Sequence, residues 1–337
     1  MDNQMSNVTI SVILPAYNAE ETVVPALESI CSQSFDAFEC LVIDDGSEDA
    51  TAARARSVTD ERVRVLSRPR KGLVAALNFG LQQARGTFIA RMDADDLCAP
   101  ERFARQLALL RSDETLAAVG CGVRLFPDKN VAGGMRHYID WLNGLLSPEQ
   151  IANNIFVEMP LLHPSMMLRV QAMRDVGGYR VGEFPEDYEL LLRLHGAGWC
   201  FAKVPEVLFY WREHEHKLSR THSAYSPAAF RRVKAKYLSQ IVLAQRPEFY
   251  FWGVGRDGKK FARELQQRGY LPERFIDIDP KKIGSSYLGI PIISPEELPG
   301  SVPLILACVG SRGARAQIRD FLLKRGLVEG QDFLFLA

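Results

Sequence analysis

"FIARMDADD", residues 88–96, is a short apolar run that ends in three carboxylates within four residues. An uninterrupted apolar run of this length, bounded by turn residues, reads as a strand buried on both faces. The acids then stand at the carboxyl end of a strand, and like charges this close require a positive partner. The same pattern occurs upstream. "FECLVIDDGS" (38–47) is a second buried run, ending in Asp44, Asp45 and a glycine turn, and "VTISVILP" (8–15) is a third, stopped by Pro15. "RVRVLS" (62–67) adds another strand. Helical periodicity fills the gaps, with Val23, Leu27 and Ile30 on one face and "GLVAALNFGLQQA" (72–84) as a further helix. Strands each followed by a helix indicate an α/β fold with a mostly parallel sheet between helices. Ligands in such sheets gather at the carboxyl ends of the strands, where both acidic clusters lie.

Downstream, Phe103, Leu107 and Leu110 mark a helix and Ala117–Gly120 a strand, and roughly 125–165 reads as less regular. "PEDYELLLRLHGAG" (185–198) is a short helix with Pro185 at its entry, acids in its first turn and a glycine stop. "WCFAKVPEVLFYWREH" (199–214) reads as extended. From Ala228 to Gln245 a helical pattern sets Phe230, Val233, Tyr237 and Ile241 on one face, with Arg231, Arg232, Lys234 and Lys236 supplying charge. The strand–helix pattern restarts after Arg246-Pro247, with strands at 248–252, 274–279, 303–308 and 332–337.

Composition narrows the function. The 337 residues carry no net formal charge, which argues against a dedicated nucleic-acid binder. No apolar run reaches the ~20 residues needed to span a bilayer. The polar start lacks a secretory pattern, and six cysteines without a CxxC pair suit reduced thiols, so a cytoplasmic location is expected. The basic stretch near Phe230–Ile241 leaves open a peripheral position at the inner face of the membrane, beside the alternative of a packing helix.

Seven segments occur in order: "SVILPAYNAEETVVPALESI", "ECLVIDDGSEDAT", "KGLVAALNFGLQQARGTFIARMDADD", "LLHPSMMLR", "VGGYR", "PEDYELLLRL" and "YWREHEHKLS". Together, from about residue 9 to 222, they resemble the inverting family 2 glycosyltransferases with the GT-A fold. The resemblance implies a nucleotide-sugar donor, expected to be a UDP-sugar, and a glycan or lipid-linked acceptor in surface-glycan assembly. It implies that Pro15, Ala16, Tyr17 and Glu20 flank the base and ribose, that Asp45 recognises the base, and that Asp93 and Ala94 lie near the ribose. Asp95 matches the acid that holds Mn2+ or Mg2+, and Asp187, with Glu186 beside it, matches the general base. Tyr210–Ser219 matches a loop over the diphosphate, with Arg212 or His214 touching phosphate or metal and His216 exposed. His163 falls in the family's "HPS" segment on the acceptor side. Leu77 stands where many relatives carry Arg, so Lys71 or Arg91 is expected to take that donor contact. No Gln-x-x-Arg-Trp string is present, which favours addition of a single sugar.

The chemistry asks for the same groups. A leaving diphosphate gains negative charge that a cation can bear, and an attacking hydroxyl must lose its proton to a base. Asp187 poses a conflict. A helix start stabilises its ionised form and weakens it as a base, whereas desolvation would restore basicity.

"FWGVGRDG" places Gly253, Gly255 and Gly258 in GxGxxG spacing after a strand, with Asp277 about 20 residues on, which is a dinucleotide fingerprint. The segment resembles small Rossmann-like domains appended to sugar-modifying enzymes. NAD, another nucleotide, or a packing or homo-oligomerisation role all stay open for it. The expected organisation is therefore a GT-A domain (1–225), a connecting helix (226–247) and a Rossmann-like C-terminal α/β domain (248–337). The competing functions are a sugar-nucleotide pyrophosphorylase and a non-catalytic nucleotide-sugar-binding scaffold. The first would want a glycine- and lysine-rich phosphate loop after the first strand, and "LPAYNAEE" is not one.

Overall fold

In the computed structural model, which describes residues 8–127, 133–214 and 222–337, β1 (Ile10–Ala16), β2 (Phe38–Asp44), β3 (Val63–Ser67) and β4 (Phe88–Arg91) run parallel in the order β3-β2-β1-β4. β2 is buried along its whole length, so it shows no polar alternation. The crossovers contain α1 (Val23–Cys31), α2 (Thr51–Arg56) and α3 (Leu73–Gln83). α1 buries Val23, Ala26, Leu27 and Ile30, the stripe that its spacing predicts. Approach is close where α3 returns to the sheet. A Cβ on Gly80 would lie 2.6 Å from Ile13 Cγ2, and one on Gly86 would lie 2.7 Å from the backbone N of Ser11.

Beyond β4 the sheet becomes mixed. β5 (Leu97–Cys98), β6 (Leu116–Phe126), β7 (Met167–Arg169) and β8 (Cys200–Arg212) complete the order β3-β2-β1-β4-β7-β6-β8-β5. β7 is antiparallel to both β4 and β6, while β6 and β8 run parallel with register shifts. The strand expected at Ala117–Gly120 is thus eleven residues long. It continues through Gly122, where a Cβ would meet the Glu206 carbonyl oxygen at 2.8 Å. Helix α4 (Arg102–Ser112) buries Phe103, Leu107 and Leu110 as expected. The supposedly irregular 125–165 region contains α5 (Gly133–Gly144) and α6 (Pro148–Asn154). α5 buries only Ile139 and Leu142, too narrow a stripe to register as a period. α7 (Val170–Val176) and α8 (Glu186–Gly196) follow.

The chain forms two compact units: 149–160, 183–185 and 222–337 make up the second, and the remainder the first. In the second, α9 (Pro227–Leu238) begins with Ser226 Oγ accepting the Ala229 N–H at 3.3 Å, and it continues as a π turn over Ser239–Leu243. Two of the four basic residues of this helix, Lys234 and Arg231, are drawn into the unit. Lys234 is buried and donates to the carbonyls of Val157 (2.5 Å) and Leu336 (3.2 Å), and Arg231 pairs with Glu264 at 3.8 Å. Arg232 and Lys236 remain exposed, so internal packing takes up half of the basic stripe considered for a membrane surface. Strands β9 (Phe249–Trp252), β10 (Arg274–Ile276), β11 (Ser286–Tyr287), β12 (Ile290–Ile293), β13 (Leu304–Ala307) and β14 (Phe333–Phe335) lie in the order β11-β12-β10-β9-β13-β14. All but β11 are parallel, giving a doubly wound sheet whose direction of winding reverses between β9 and β13. Helices α10 (Arg256–Gln266) and α11 (Ala314–Lys324) accompany it. Among the described residues no helix is long and apolar enough to cross a membrane.

Gly86→Ala sets its methyl against backbone rather than a pliable side chain, so it should destabilise the chain by about 1–3 kcal/mol. A lowered urea midpoint relative to wild type is the expected readout, and an unchanged midpoint would contradict the packing described.

Candidate active site

The acids that end β4 find their first positive partner in the strand itself. Arg91 is only 2% exposed, and its Nη2 donates to Asp93 Oδ1 at 2.5 Å while Nη1 donates to the Met92 carbonyl. Its charge persists despite burial because Asp93 and other anions around it outweigh the desolvation. Asp96 is buried, and its Oδ1 accepts the Arg212 backbone N–H at 2.8 Å. Asp95 Oδ2 lies 3.0 Å from His214 Nε2, and the Asp95 carbonyl accepts from Arg212 Nε at 2.6 Å. The end of β8 is thus stitched to the acidic turn. Arg212, expected at a phosphate, holds backbone here, with its guanidinium 4.5 Å from the Phe126 ring centre. Residues 215–219 of the expected loop, including His216, lie outside the described residues.

The set fits a hard divalent cation. Asp93, Asp95 and Asp96 each present an oxygen, and the three lie within 4.8 Å of one another. Burial, followed by the negative Asp93, raises the pKa of Asp95 against the pull of His214. A group strained as an anion in this way gains from a cation at its side.

Under this cluster lies a residue that the sequence reading passed over. Arg102 is completely buried, and its Nη2 donates to the carbonyls of Arg91 (2.8 Å) and Pro164 (3.2 Å), tying the acidic strand to the "HPS" turn. Its Nε donates to Gln106 Oε1 at 3.0 Å. The signal was an i,i+4 polar pair on the inward face of α4, beside Phe103.

On the other side of β1, Asp45 donates its backbone N–H to the Ala16 carbonyl at 2.9 Å. Asp45 and Asp93 therefore flank the carboxyl end of one strand. Asp45 is itself nearly buried, and its carboxylate accepts the N–H groups of Lys71 (3.1 Å) and Gly72 (2.6 Å) and faces Arg68 at 3.4 Å. It fixes the turn that carries the exposed Lys71. Gly46 is obligatory in that arrangement, because its φ is +74° and a Cβ would stand 2.7 Å from Arg70 N. Tyr17 leaves β1 with its ring under Arg70, 3.8 Å from guanidinium carbon to ring centre, next to Pro15 and Ala16. Glu20 Oε2 accepts the Ala50 N–H at 2.9 Å and so fastens this loop to the "DDGS" turn. Ala94 is buried within the acidic turn. Leu77 is fully buried in α3, whereas Lys71 is exposed.

The third wall is the start of α8. Glu186 is nearly buried and Asp187 partly so, with Asp187 Oδ1 accepting the Tyr188 N–H at 2.7 Å. Burial and then the Glu186 carboxylate push Asp187 up to about 8, overriding that hydrogen bond and the more distant Arg91. The conflict posed by the helix start is thus resolved in favour of desolvation. Beside it, Tyr179 pairs its hydroxyl with His163 Nε2 at 2.7 Å. Burial and the charge of Arg91 keep His163 neutral, well below its ordinary pKa. Tyr179 senses Arg91, Glu186, Asp187 and Asp93 alike, so these groups share one neighbourhood. Asn78 grips the Tyr179 backbone from both sides (3.0 and 2.9 Å). Arg193 ties Glu189 (2.6 Å) to the Gly178 carbonyl (2.9 Å), locking α8 to the same turn.

The sequence model of the family described as "Glycosyl transferase family 2" matches residues 11–177. EpsE of Bacillus subtilis (strain 168) is 32% identical over 224 residues, covering 64% of this chain and 77% of its own. The chain belongs to glycosyl transferase family 2. AmsE of Erwinia amylovora, an amylovoran biosynthesis glycosyltransferase, is 31% identical over 204 residues, covering 59% of this chain and 74% of its own. Among solved structures, S. aureus TarS 1-349 in complex with UDP-GlcNAc superposes with a TM-score of 0.57 at 18% identity, covering 77% of this chain and 72% of TarS. That likeness establishes a shared GT-A fold. The C-terminal sheet belongs to a second, smaller α/β unit.

Arg102→Met removes the buried donor for the Arg91 and Pro164 carbonyls. Loss of about 3 kcal/mol of stability is expected from the unsatisfied acceptors. Chemical denaturation checks it, and a cost below about 0.5 kcal/mol would contradict the role given to Arg102.

Proposed function

We propose that the chain transfers one sugar, with inversion, from a UDP-sugar to a hydroxyl of a glycan or lipid-linked acceptor in surface-polysaccharide assembly. The observation that carries this reading is Asp187. It is a carboxylate with a pKa pushed to about 8, in the electrostatic neighbourhood of the acidic turn at the sheet's carboxyl edge. A base needs a pKa near the working pH, and this one has it. The polysaccharide context follows from AmsE, and the uridine donor is the kind of ligand that TarS holds on the same fold.

In this reading Tyr17 with Arg70 and the Asp45-braced turn hold the base and ribose, and Asp93 stands at the ribose. Asp95, with His214 beside it, would hold Mn2+ or Mg2+, which supplies a Lewis acid for the leaving diphosphate. Asp187 takes the proton from the acceptor hydroxyl. The hydroxyl oxygen forms a bond to the anomeric carbon from the face opposite the phosphate, and the bond from that carbon to the phosphate oxygen breaks. Glu186 keeps Asp187 basic by like-charge repulsion, and His163 with Tyr179 forms an uncharged wall for the acceptor.

The shift of Asp187 fixes a pH profile. A raised acid is protonated and idle below its pKa and becomes a base above it. Accordingly, kcat/KM should rise with pH and level off above about 8. Stability should fall as pH rises from the ordinary 3.8 to about 8, because over that range the folded form binds the extra proton. A profile flat from pH 6 to 9 would contradict the assignment. Asp187→Asn should lower kcat by at least about 10²-fold with donor binding retained, whereas a mere binding scaffold would show no transfer in wild type either. In manganese titrations followed by electron paramagnetic resonance, Asp95→Asn should weaken binding at least tenfold, and unchanged affinity would remove Asp95 from the ligand set.

A further inference from the structure

The second unit contains a cavity of about 660 Å3 lined entirely by its own residues. It opens at the carboxyl ends of β9, β10 and β13, where the sheet reverses its direction of winding and two helices diverge. Its size lies within the ~300–1,000 Å3 usual for small-molecule sites.

The three glycines of the β9 loop serve different ends. Gly253 has φ +110°, and a Cβ on it would stand 2.6 Å from the Cys308 carbonyl oxygen. A Cβ on Gly258 would stand 1.9 Å from the Gly253 carbonyl oxygen. Both are needed for the loop to pack. Gly255 is not, since it has an ordinary φ of −80° and nothing lies within 4 Å of its missing Cβ. It is the exposed cap residue of α10 on the cavity wall, and what its bareness preserves is access to backbone N–H groups from the cavity. Across the cavity the loop before α11 contributes Gly310 and Ser311 to the lining and α11 itself Ala314, whose own N–H donates to the Ser311 carbonyl at 3.1 Å. The first-turn N–H groups of both helices have no partners within their own helices, so two sets of donors border one space.

The remaining walls are of another kind. Ile278 is 72% exposed at the cavity, an unusual state for isoleucine, and Pro295 and Phe321 add further apolar surface. Asp277, expected from spacing to hold a ribose, is committed elsewhere. It is 7% exposed, with Oδ2 accepting from Val254 N (2.8 Å) and Lys282 Nζ (3.0 Å) and Oδ1 from Asp279 N (3.0 Å). It braces the glycine loop. Asp279, two residues on and lining the same cavity, keeps a side chain 40% exposed.

We propose that this cavity binds a single nucleoside phosphate, with the phosphate at the two helix starts, a ribose hydroxyl at Asp279 and the base against Ile278. Asp277, the acid whose spacing suits a dinucleotide's ribose, is already taken up by the glycine loop and Lys282, which favours a single nucleoside phosphate over NAD.

The test is calorimetric titration of the full chain with ADP, UDP and NAD+. It is made on wild type and on a chain carrying Asp45→Ala with Asp95→Asn to impair the first unit's site. Gly255→Val fills the cavity, and Ile278→Asp, at an exposed position that leaves folding intact, removes the apolar wall. One equivalent of ADP or UDP should bind the double variant, and adding either cavity substitution should weaken that binding at least tenfold with thermal unfolding unchanged. NAD+ should bind no more tightly than the better mononucleotide. Absence of mononucleotide binding in the double variant, indifference to both cavity substitutions, or a clear preference for NAD+ would each overturn the proposal.

Discussion

The family 2 domain depends on an ion pair set half inside the protein, that between Arg91 and Asp93. A guanidinium removed from water is costly unless an anion and hydrogen bonds meet it. Here Asp93 and the Met92 carbonyl do so from the same strand end. The pair answers the electrostatic problem posed by three neighbouring acids without drawing all of them inward. Asp93 is held at the boundary, Asp96 is buried against backbone, and Asp95 is left beside His214. Arg91 also reaches the opposite wall. Burial chiefly, and then its charge, keep His163 neutral, and that charge only partly offsets the burial of Asp187.

Around that pair the scaffold is arranged in layers. Arg102 fastens the carbonyl of Arg91 to the turn that carries His163, and Asn78 and Arg193 fasten the Tyr179 turn to α3 and α8. Two carboxylates, Asp95 and Asp187, are both held above their ordinary range by burial, but with different charged neighbours. Asp95 is raised beside Asp93, in a set of three acids that suits a cation; Asp187 is raised beside Glu186 at a helix start. Environments that differ in this way suit the separate roles proposed for the two acids.

Much of the fold was legible in the sequence because β1, β2 and β4 are buried on both faces and so appear as unbroken apolar runs ending in acids. The acids at 44–45 and 93–96 stood out because they cluster where such runs end, and those at 186–187 because they open a helix behind Pro185. Other features were hidden. The antiparallel β7 has three residues, too few for any period, and α5 buries too narrow a stripe. Arg91 and Arg102 look in sequence like solvated charges, and only the carbonyls that meet them in three dimensions explain their burial. Asp277 misled in the reverse direction. Its spacing matches a ribose ligand, yet its oxygens are taken by its own loop and Lys282.

The most direct trial of the account is a crystal of the full chain grown with UDP and manganese chloride, with diffraction recorded at the manganese edge. The account predicts one strong anomalous peak in contact with the Asp95 carboxylate and with the UDP phosphates, and the uracil beside Tyr17 and Asp45. Manganese and diphosphate bound together at a place that excludes Asp95 would contradict it.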